Sequence, residues 1–137
     1  MTTKRKCRIV IVDDDPDDQD FVKQAMNELQ INCEIIPVYT GRQLLNLLFH
    51  GEAFVDLPDL IFLDINMPIL NGFDALREIR KYEKFQQIPV YILTTSDFEQ
   101  DRQTAFDLDA KGYLVKPGNY SSLVKIVNEV VSKELKL

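Results

Sequence analysis

Residues that can carry out phosphoryl or metal chemistry follow four apolar runs of the sequence. The aspartates at 13–15 follow the run CRIVIV, and Asp64 ends the run LIFLD. Thr94 ends a third run, PVYILT, and Lys116 follows a fourth, GYLV. Carboxylates gathered at one point resist ionising together, and a divalent cation relieves their repulsion. Mg²⁺ takes oxygen ligands and is usually held by one or two carboxylates together with phosphate oxygens and water.

The residue types around these acids suit the transfer of a phosphoryl group to a carboxylate. Asp64 is the single acid on its run and is therefore the predicted nucleophile, which would form an aspartyl phosphate. The Thr94 hydroxyl can donate to a phosphate oxygen, and Lys116 adds a positive centre. Phosphoryl transfer depends on such positioning and charge stabilisation. These residues therefore predict a magnesium-dependent phosphoryl-transfer site.

Each of these residues also has a purely structural interpretation. The acidic stretch DDDPDDQD suits the N-cap and first turn of a helix, and Asp64 could cap the loop that leads to Gly72. Ser96 followed by Glu99 matches a capping box. Lys116 could be an ordinary surface lysine. The functional interpretation is the stronger one because all of these residues stand, in order, at the ends of apolar runs.

The apolar runs alternate with helical patterns, and this alternation predicts a sheet that would bring the polar residues together. Continuous apolar runs of strand length are typical of parallel strands covered on both faces. Five strand–helix pairs predict an α/β, doubly wound sheet, in which sites form at the carboxyl ends of the strands. The predicted strands span 7–12, 33–38, 60–64, 89–94 and 112–115, and the predicted helices span 17–29, 41–50, 73–82, 97–108 and 120–134.

The composition is that of one globular domain. The chain has 137 residues, of which 45% are hydrophobic, and a net charge of −6, which argues against nucleic-acid binding because phosphate contacts need a basic face. No apolar stretch approaches the roughly 18 residues of a membrane span, and the first apolar run is too short for a signal peptide. We therefore expect no membrane segment and a cytoplasmic location. Cys7 and Cys33 are expected to be free thiols, as in a reducing compartment.

Four pieces of the sequence, in order, resemble the receiver domain of two-component response regulators. They are IVIVDDD, LIFLDINMPILNG, IPVYILTTS and GYLVKP, and they span nearly the whole chain. The resemblance implies a flavodoxin-like (βα)5 three-layer sandwich with a parallel sheet of strand order 2-1-3-4-5. It also implies one receiver domain over residues 7–134 without an output domain, that is, a stand-alone regulator. The segment GEAFVDLP is reminiscent of a stand-alone subgroup, some of whose members have phytochrome-like kinases as partners.

The resemblance assigns the phosphoacceptor and the metal ligands to individual residues. Asp64 would accept the phosphoryl group from a phosphohistidine. Asp13 and Asp14 match the family's acidic pair, in which the second acid binds Mg²⁺ directly and the first acts largely through water. Asp64 and the backbone carbonyl of Asn66 would complete the metal ligands. Asp15 has no role that the sequence assigns.

The resemblance also implies how the domain responds to phosphorylation. Thr94 would bond the phosphoryl group through its hydroxyl, and Lys116 would pair with a phosphoryl oxygen. The bond between Lys116 and Pro117 is expected to be cis, as is usual in the family. Tyr113 matches the aromatic switch position, where the ring turns inward after Thr94 moves toward the phosphate. This population shift would repack the face formed by residues 97–134; the structural alternative is a half-buried strand residue.

Three functions are open at this point. The first is a signalling switch that is phosphorylated by a sensor histidine kinase or a histidine phosphotransfer protein and then docks to a downstream protein or passes the group on. Such a domain catalyses only its own phosphorylation and dephosphorylation and is not an enzyme acting on an outside substrate. The second is a small phosphohydrolase with an aspartate nucleophile, which would need a general acid where Asn66 stands. The third is an interaction module that works without phosphorylation, but such modules usually lack the acceptor, an acid or the lysine.

The last predicted helix has more apolar residues than one buried face needs. A well-buried helix and a surface for a partner or a homodimer are both consistent with this pattern. The predicted core stripe and the two valines that widen it are Leu123, Ile126, Val127 and Val130, with Val124 and Val131.

Overall fold

The computed structural model describes residues 6–50 and 57–135, and within these ranges strands and helices alternate as the sequence predicts. Most of the segment GEAFVDLP falls at 51–56, outside the described residues, so its likeness to a subgroup stays a prediction. The elements are β1 (Cys7–Val12), α1 (Pro16–Glu28), β2 (Cys33–Val38), α2 (Gly41–His50), β3 (Leu60–Leu63), α3 (Gly72–Arg80), a 3₁₀ turn (Glu83–Phe85), β4 (Val90–Thr94), α4 (Glu99–Asp107), β5 (Gly112–Val115) and α5 (Tyr120–Leu135).

The strands form a parallel sheet in the order β2-β1-β3-β4-β5, which confirms the predicted doubly wound fold. Backbone hydrogen bonds continue one residue beyond three strand ends. The amide of Asp13 donates to Val38 O and that of Asp64 to Val12 O, each at 2.9 Å. The amide of Lys116 donates to the carbonyl of Thr94 at 2.7 Å. The sheet register therefore holds the polar residues after the strands side by side at one edge.

Two apolar layers cover the two faces of the sheet, because successive strand residues point to opposite sides. On one face, Val10 and Ile61 pack with residues of α2, α3 and α4. On the other face, Ile9 and Phe62 pack with residues of α1 and α5. The strands β3 and β4 are buried along their whole length and are thus covered on both sides, which explains their continuous apolar runs in the sequence.

The packing of helix α5 shows which of its apolar residues are buried. The buried residues are Leu123, Val127, Val130 and Val131, which face α1 and the sheet. Ile126 is only partly buried, so its assignment to the core stripe is wrong, and Val131 takes a place in the core instead.

Helix α4 begins differently from the prediction. Its N-cap is Phe98, with no capping hydrogen bond from the side chain. The predicted capping box of Ser96 and Glu99 is therefore wrong. The reason is that the Ser96 hydroxyl donates instead to Asp101 Oδ2 at 2.6 Å, inside the first turn of the helix.

The two cysteines are joined as a disulfide, and the expectation of free thiols is wrong for this structure. Cys7 and Cys33 are the first residues of β1 and β2 and lie opposite each other in register, with their Cα atoms 4.5 Å apart. Neighbouring parallel strands in matched register place the two side chains on the same side of the sheet, which the separation of 26 residues along the chain does not reveal.

The bond between Lys116 and Pro117 is trans, since the described residues contain no cis peptide bond. The expected cis bond is therefore wrong here; the trans form is the lower-energy one for most bonds that precede proline, by about 0.5–1 kcal/mol. In the described part of the chain, none of the helices has both the length and the apolar character needed to span a membrane.

Candidate functional site

Three predicted acids meet at the carboxyl edge of the sheet. Asp13, Asp14 and Asp64 each place one carboxylate oxygen within 4.8 Å of the others. Asp13 and Asp64 are buried, whereas Asp14 is exposed to solvent. All of these donors are carboxylate oxygens, the ligand type that hard divalent cations prefer.

Lys116 supplies the positive charge that lies nearest to these acids. Its ammonium donates to Asp13 Oδ2 at 2.7 Å and to Asp64 Oδ2 at 3.0 Å. A third hydrogen bond, at 2.8 Å, goes to Asp18 Oδ2. Burial by itself lowers the pKa of Lys116, but the hydrogen bonds to the three aspartates outweigh burial and raise the pKa. Lys116 is therefore a charged part of the site rather than an ordinary surface lysine.

One ammonium leaves the cluster short of positive charge. Burial raises the pKa of Asp13 above its ordinary value, in spite of the hydrogen bond from Lys116. Burial makes the ionised form of this carboxylate costly, and the neighbouring Asp64 carboxylate adds to that cost. A second positive charge at the three clustered acids would lower the free energy of their ionised form, so these residues fit a divalent cation.

The first turn of α1 contacts the acidic cluster, and Asp15 has a structural role there. The Asp15 carboxylate caps the helix by accepting from the amide of Asp17 at 2.9 Å. The amide of Asp15 in turn donates to Asp13 Oδ1 at 3.0 Å. The structural interpretation of the acidic stretch thus holds for Asp15, whereas Asp18 reaches Lys116 and belongs to the site.

Gln19 is a supporting residue that sequence reasoning missed. Its side chain is buried, and its Nε2 atom lies 2.8 Å from the carbonyl oxygens of Ile11 and Val38 and 3.1 Å from that of Asp13. This amide therefore ties α1 to the ends of β1 and β2 and fixes the backbone that carries Asp13. A buried glutamine on the sheet-facing side of an otherwise apolar helix stripe is the signal that could have identified it.

Asn66 links the phosphoacceptor candidate to the candidate hydroxyl donor. Its backbone amide donates to Asp64 Oδ1 at 3.0 Å, and its side-chain amide donates to Thr94 Oγ1 at 3.3 Å. Thr94 is fully buried. One carboxylate oxygen of Asp64 thus faces Asn66 and the other faces Lys116.

Asp64 is not the cap of the following helix, which was its structural alternative. That cap is Asn71, whose side chain accepts from the amide of Asp74, while Asp74 accepts from the amide of Asn71. Gly72 lets this helix start directly against the strand end: a Cβ atom there would lie 2.4 Å from the carbonyl oxygen of Asp64. The capping role is thus filled by other residues, and the Asp64 carboxylate is left to the site.

The ring of Tyr113 is turned inward in this structure. Its side chain is buried, and its hydroxyl donates to the carbonyl oxygen of Ser96 at 2.9 Å. The Arg102 guanidinium lies over the ring, 4.7 Å from its centroid. The inward position is the one that the family pattern associates with phosphorylation, and here a hydrogen bond and a cation–π contact hold the ring in it.

Comparison with known proteins identifies the family. The profile of the response regulator receiver domain matches residues 9–128. The chain belongs to this family. The resemblance seen in four pieces of the sequence is thereby confirmed.

The relatives of this receiver domain include proteins of similar length. PilH of Pseudomonas aeruginosa is 35% identical over 129 residues, covering 91% of this chain and 98% of PilH. The response regulator Rcp1 of Synechocystis sp. is 31% identical over 126 residues, covering 90% of this chain and 86% of Rcp1.

Solved structures agree with the fold of this receiver domain. The phosphorylated cyanobacterial phytochrome response regulator RcpA superposes with a TM-score of 0.86 at 29% identity, covering 96% of this chain and 95% of RcpA. The Mn²⁺-bound form of Rcp1 gives a TM-score of 0.82 at 31% identity, covering 93% of both chains. The flavodoxin-like receiver architecture predicted from the sequence is therefore confirmed.

Proposed function

We propose that this receiver domain is a phosphorylation-dependent signalling switch in which Asp64 accepts a phosphoryl group from a partner protein. The observation that carries the proposal is the meeting of the Asp64 carboxylate with Lys116, 3.0 Å away, and with two further acids at one edge of the sheet. A nucleophile, a phosphate-binding cation and metal ligands are the components that phosphoryl transfer to a carboxylate requires.

The cation of this site is proposed to be Mg²⁺, held by Asp13, Asp14, Asp64 and the backbone carbonyl of Asn66. When bound, it would neutralise charge on the carboxylates and on the phosphoryl oxygens. The oxygen-only donor set of the three clustered acids supports a divalent cation. The Mn²⁺-bound form of Rcp1 shows that a similar chain binds a divalent metal ion.

The residues around the metal site divide the work of the transfer. An Asp64 oxygen attacks phosphorus, and the phosphorus–nitrogen bond to the donor histidine breaks as the imidazole leaves with the bonding electrons. The Lys116 ammonium then pairs with a phosphoryl oxygen instead of Asp64. The Thr94 hydroxyl donates to another phosphoryl oxygen. It lies near the acceptor because Asn66 contacts both residues: its side-chain amide lies 3.3 Å from Thr94 Oγ1, and its backbone amide donates to Asp64 Oδ1.

The output of the switch is proposed to pass through Thr94 and Tyr113 to the face formed by residues 97–134. Movement of Thr94 toward the phosphoryl group would change the space beside the ring of Tyr113. Because Arg102 of α4 covers that ring at 4.7 Å, the change would reach α4 directly. A downstream protein, or a second copy of the chain, would recognise the altered face.

The phosphoryl donor is proposed to be a sensor histidine kinase or a histidine phosphotransfer protein. A kinase of the phytochrome type is the first candidate class, supported by the likeness to RcpA, a phytochrome response regulator. We propose no activity on an outside substrate, because Asn66 stands two residues after Asp64, where a phosphohydrolase with an aspartate nucleophile needs a general acid.

The test is the intact mass of the protein after incubation with acetyl phosphate and Mg²⁺. We expect one added phosphoryl group per chain, and none in the Asp64→Asn variant or in a sample freed of divalent metal. Addition of a phosphoryl group to Asp64→Asn would place the acceptor elsewhere.

A failure to label the unaltered protein would be followed by a second measurement. Beryllofluoride mimics the phosphoryl group of an aspartyl phosphate without being hydrolysed. Metal-dependent beryllofluoride binding would show that the acceptor site exists and that hydrolysis outruns labelling. Absence of both labelling and beryllofluoride binding would favour an interaction module that works without phosphorylation.

A further inference from the structure

The three hydrogen bonds of the Lys116 ammonium differ in one respect that bears on metal binding. Asp13 and Asp64 are members of the group of carboxylates that can hold a cation. Asp18, the third partner of Lys116, is not part of that group among the described residues. An ammonium has three N–H donors, so the side chain uses all of them in this arrangement.

A divalent cation at the site would compete with Lys116 for the same carboxylates. Two positive charges that share the oxygens of Asp13 and Asp64 repel each other, and the repulsion is strong because both acids are buried. Asp18 offers the ammonium a partner that it does not share with the cation. The Asp18 side chain is 33% exposed, so it stays partly hydrated as it takes over this charge.

We propose that Asp18 is a positioning residue for Lys116, holding the ammonium beside the site while a divalent cation occupies Asp13 and Asp64. The inference rests on the proposed function, because it concerns the same metal site. It assigns to Asp18 a role that differs from the stabilisation of a helix N-terminus. Without Asp18, the remaining partners of Lys116 among the described residues are the metal-binding carboxylates, and the cation must displace it from them.

Asp17 provides the matched control for this role. Asp17 and Asp18 are both acidic residues in the first turn of α1, so each interacts favourably with the helix dipole. The three ammonium hydrogen bonds of Lys116 go to other acids, so Asp17 is not among these partners. Neutralising Asp17 therefore measures the general effect of losing one negative charge from this turn.

The experiment is a titration with MgCl₂ followed by the backbone amide chemical shifts of Asp14 and Asn66 in NMR spectra. The variants are Asp18→Asn, Asp17→Asn, Lys116→Gln and the double variant with both Asp18→Asn and Lys116→Gln. We expect Asp18→Asn to weaken Mg²⁺ binding roughly 3- to 10-fold and Asp17→Asn to change it less than about 2-fold. In the Lys116→Gln background, Asp18→Asn should have no larger effect than Asp17→Asn has in the unaltered protein.

The double variant decides whether Asp18 acts through Lys116. An equal weakening by Asp18→Asn in both backgrounds, or no weakening in either, would overturn the inference. Asp18→Glu keeps the carboxylate and should recover most of the Mg²⁺ affinity, whereas a purely structural role would not predict that recovery. A thermal melt of each variant identifies any that is unfolded, and Asp18→Glu then carries the comparison with the unaltered protein.

The proposed function and this inference fail in different ways. If the unaltered protein shows no Mg²⁺-dependent shifts and takes up no phosphoryl group, the proposed function is wrong. If it binds Mg²⁺ and is phosphorylated, but Asp18→Asn behaves like Asp17→Asn, only the role of Asp18 is wrong.

Discussion

Close contacts with neighbouring atoms fix the positions of single residues in the site of this receiver domain. Asp64 is the clearest case, since its backbone oxygen lies against α3 and its carboxylate lies between Asn66 and Lys116. A phosphoryl group must reach a carboxylate that the surrounding backbone holds in place. The absence of a side chain at Gly72 is what allows α3 to hold it so closely.

We expect Gly72→Ala to disturb the site from the backbone side. The added Cβ would lie 2.4 Å from Asp64 O and 2.8 Å from Ile65 Cα, and neither atom can yield as a flexible side chain would. The helix should therefore shift away from β3, with a loss of about 1–3 kcal/mol in the free energy of unfolding and slower phosphorylation by acetyl phosphate. Chemical denaturation and intact mass measure the two effects.

Gly118→Ala is the control for this substitution, because a Cβ atom at Gly118 meets no atom of the described residues within 4 Å. Its free energy of unfolding should stay within about 0.5 kcal/mol of the unaltered protein. Equal stability of the two alanine variants would contradict the argument from close approach.

At the scale of elements, one side chain ties together the segments that surround β4. The guanidinium of Arg80, at the end of α3, donates to the carbonyl oxygens of several segments at distances between 3.0 and 3.3 Å. Burial lowers the pKa of Arg80 from its ordinary value, which fits a guanidinium withdrawn from water. The acceptors lie in the 3₁₀ turn, before β4 and in the turn after α4, at Phe85, Gln86, Ile88, Leu108 and Asp109.

We expect Arg80→Met to lower the free energy of unfolding by about 2–4 kcal/mol, because several carbonyl groups lose a charged donor at once. Urea denaturation followed by circular dichroism measures this loss. Arg77→Met serves as the control on the same helix, since Arg77 is half-exposed and pairs with Asp74 on the surface at 3.3 Å. A surface pair of this kind contributes roughly 0.2–1 kcal/mol. Losses of equal size in the two variants would show that the hydrogen bonds of Arg80 do not join these segments as we infer.

At the scale of the whole molecule, a polar network holds the last helix against the sheet. This network lies at the amino edge of the sheet, opposite the phosphoryl site. The Tyr91 hydroxyl donates to Glu134 Oε2, and Lys111 Nζ lies 2.7 Å from Glu134 Oε1. Burial alone raises the pKa of Glu134, but the hydrogen bonds from Lys111 and Tyr91 outweigh burial and lower the pKa. The network therefore joins α5 to β4 and to the residue before β5 through a charged carboxylate.

The lowered pKa of Glu134 fixes how this network contributes to stability as the pH changes. A depressed pKa in the folded state adds stability above the ordinary value of 4.5, and the added stability is lost as the pH falls through the folded value. We expect Glu134→Gln to lower the free energy of unfolding by about 1–2 kcal/mol at neutral pH. The difference from the unaltered protein should shrink below about pH 4.5. Urea denaturation at a series of pH values measures it, and a difference that stays constant down to pH 3 would contradict the role of the carboxylate.

The sequence by itself determined the elements and the residues that stand at their ends. Unbroken apolar runs specify strands buried on both faces, and helical spacing specifies the segments between them. Once the sheet is parallel, Asp13, Asp64, Thr94 and Lys116 must share one edge. These are local patterns, and they are readable because each depends on a few neighbouring residues.

Only the tertiary structure decided which of these residues touch. Lys116 and Asp13 are 103 residues apart in the chain, and no local pattern indicates that Asp18 would share the same ammonium. The disulfide of Cys7 and Cys33 follows from the register of β1 against β2. The inward ring of Tyr113 similarly depends on how α4 packs against β5. Such contacts depend on how separate elements lie against each other, which burial and register fix after the elements have formed.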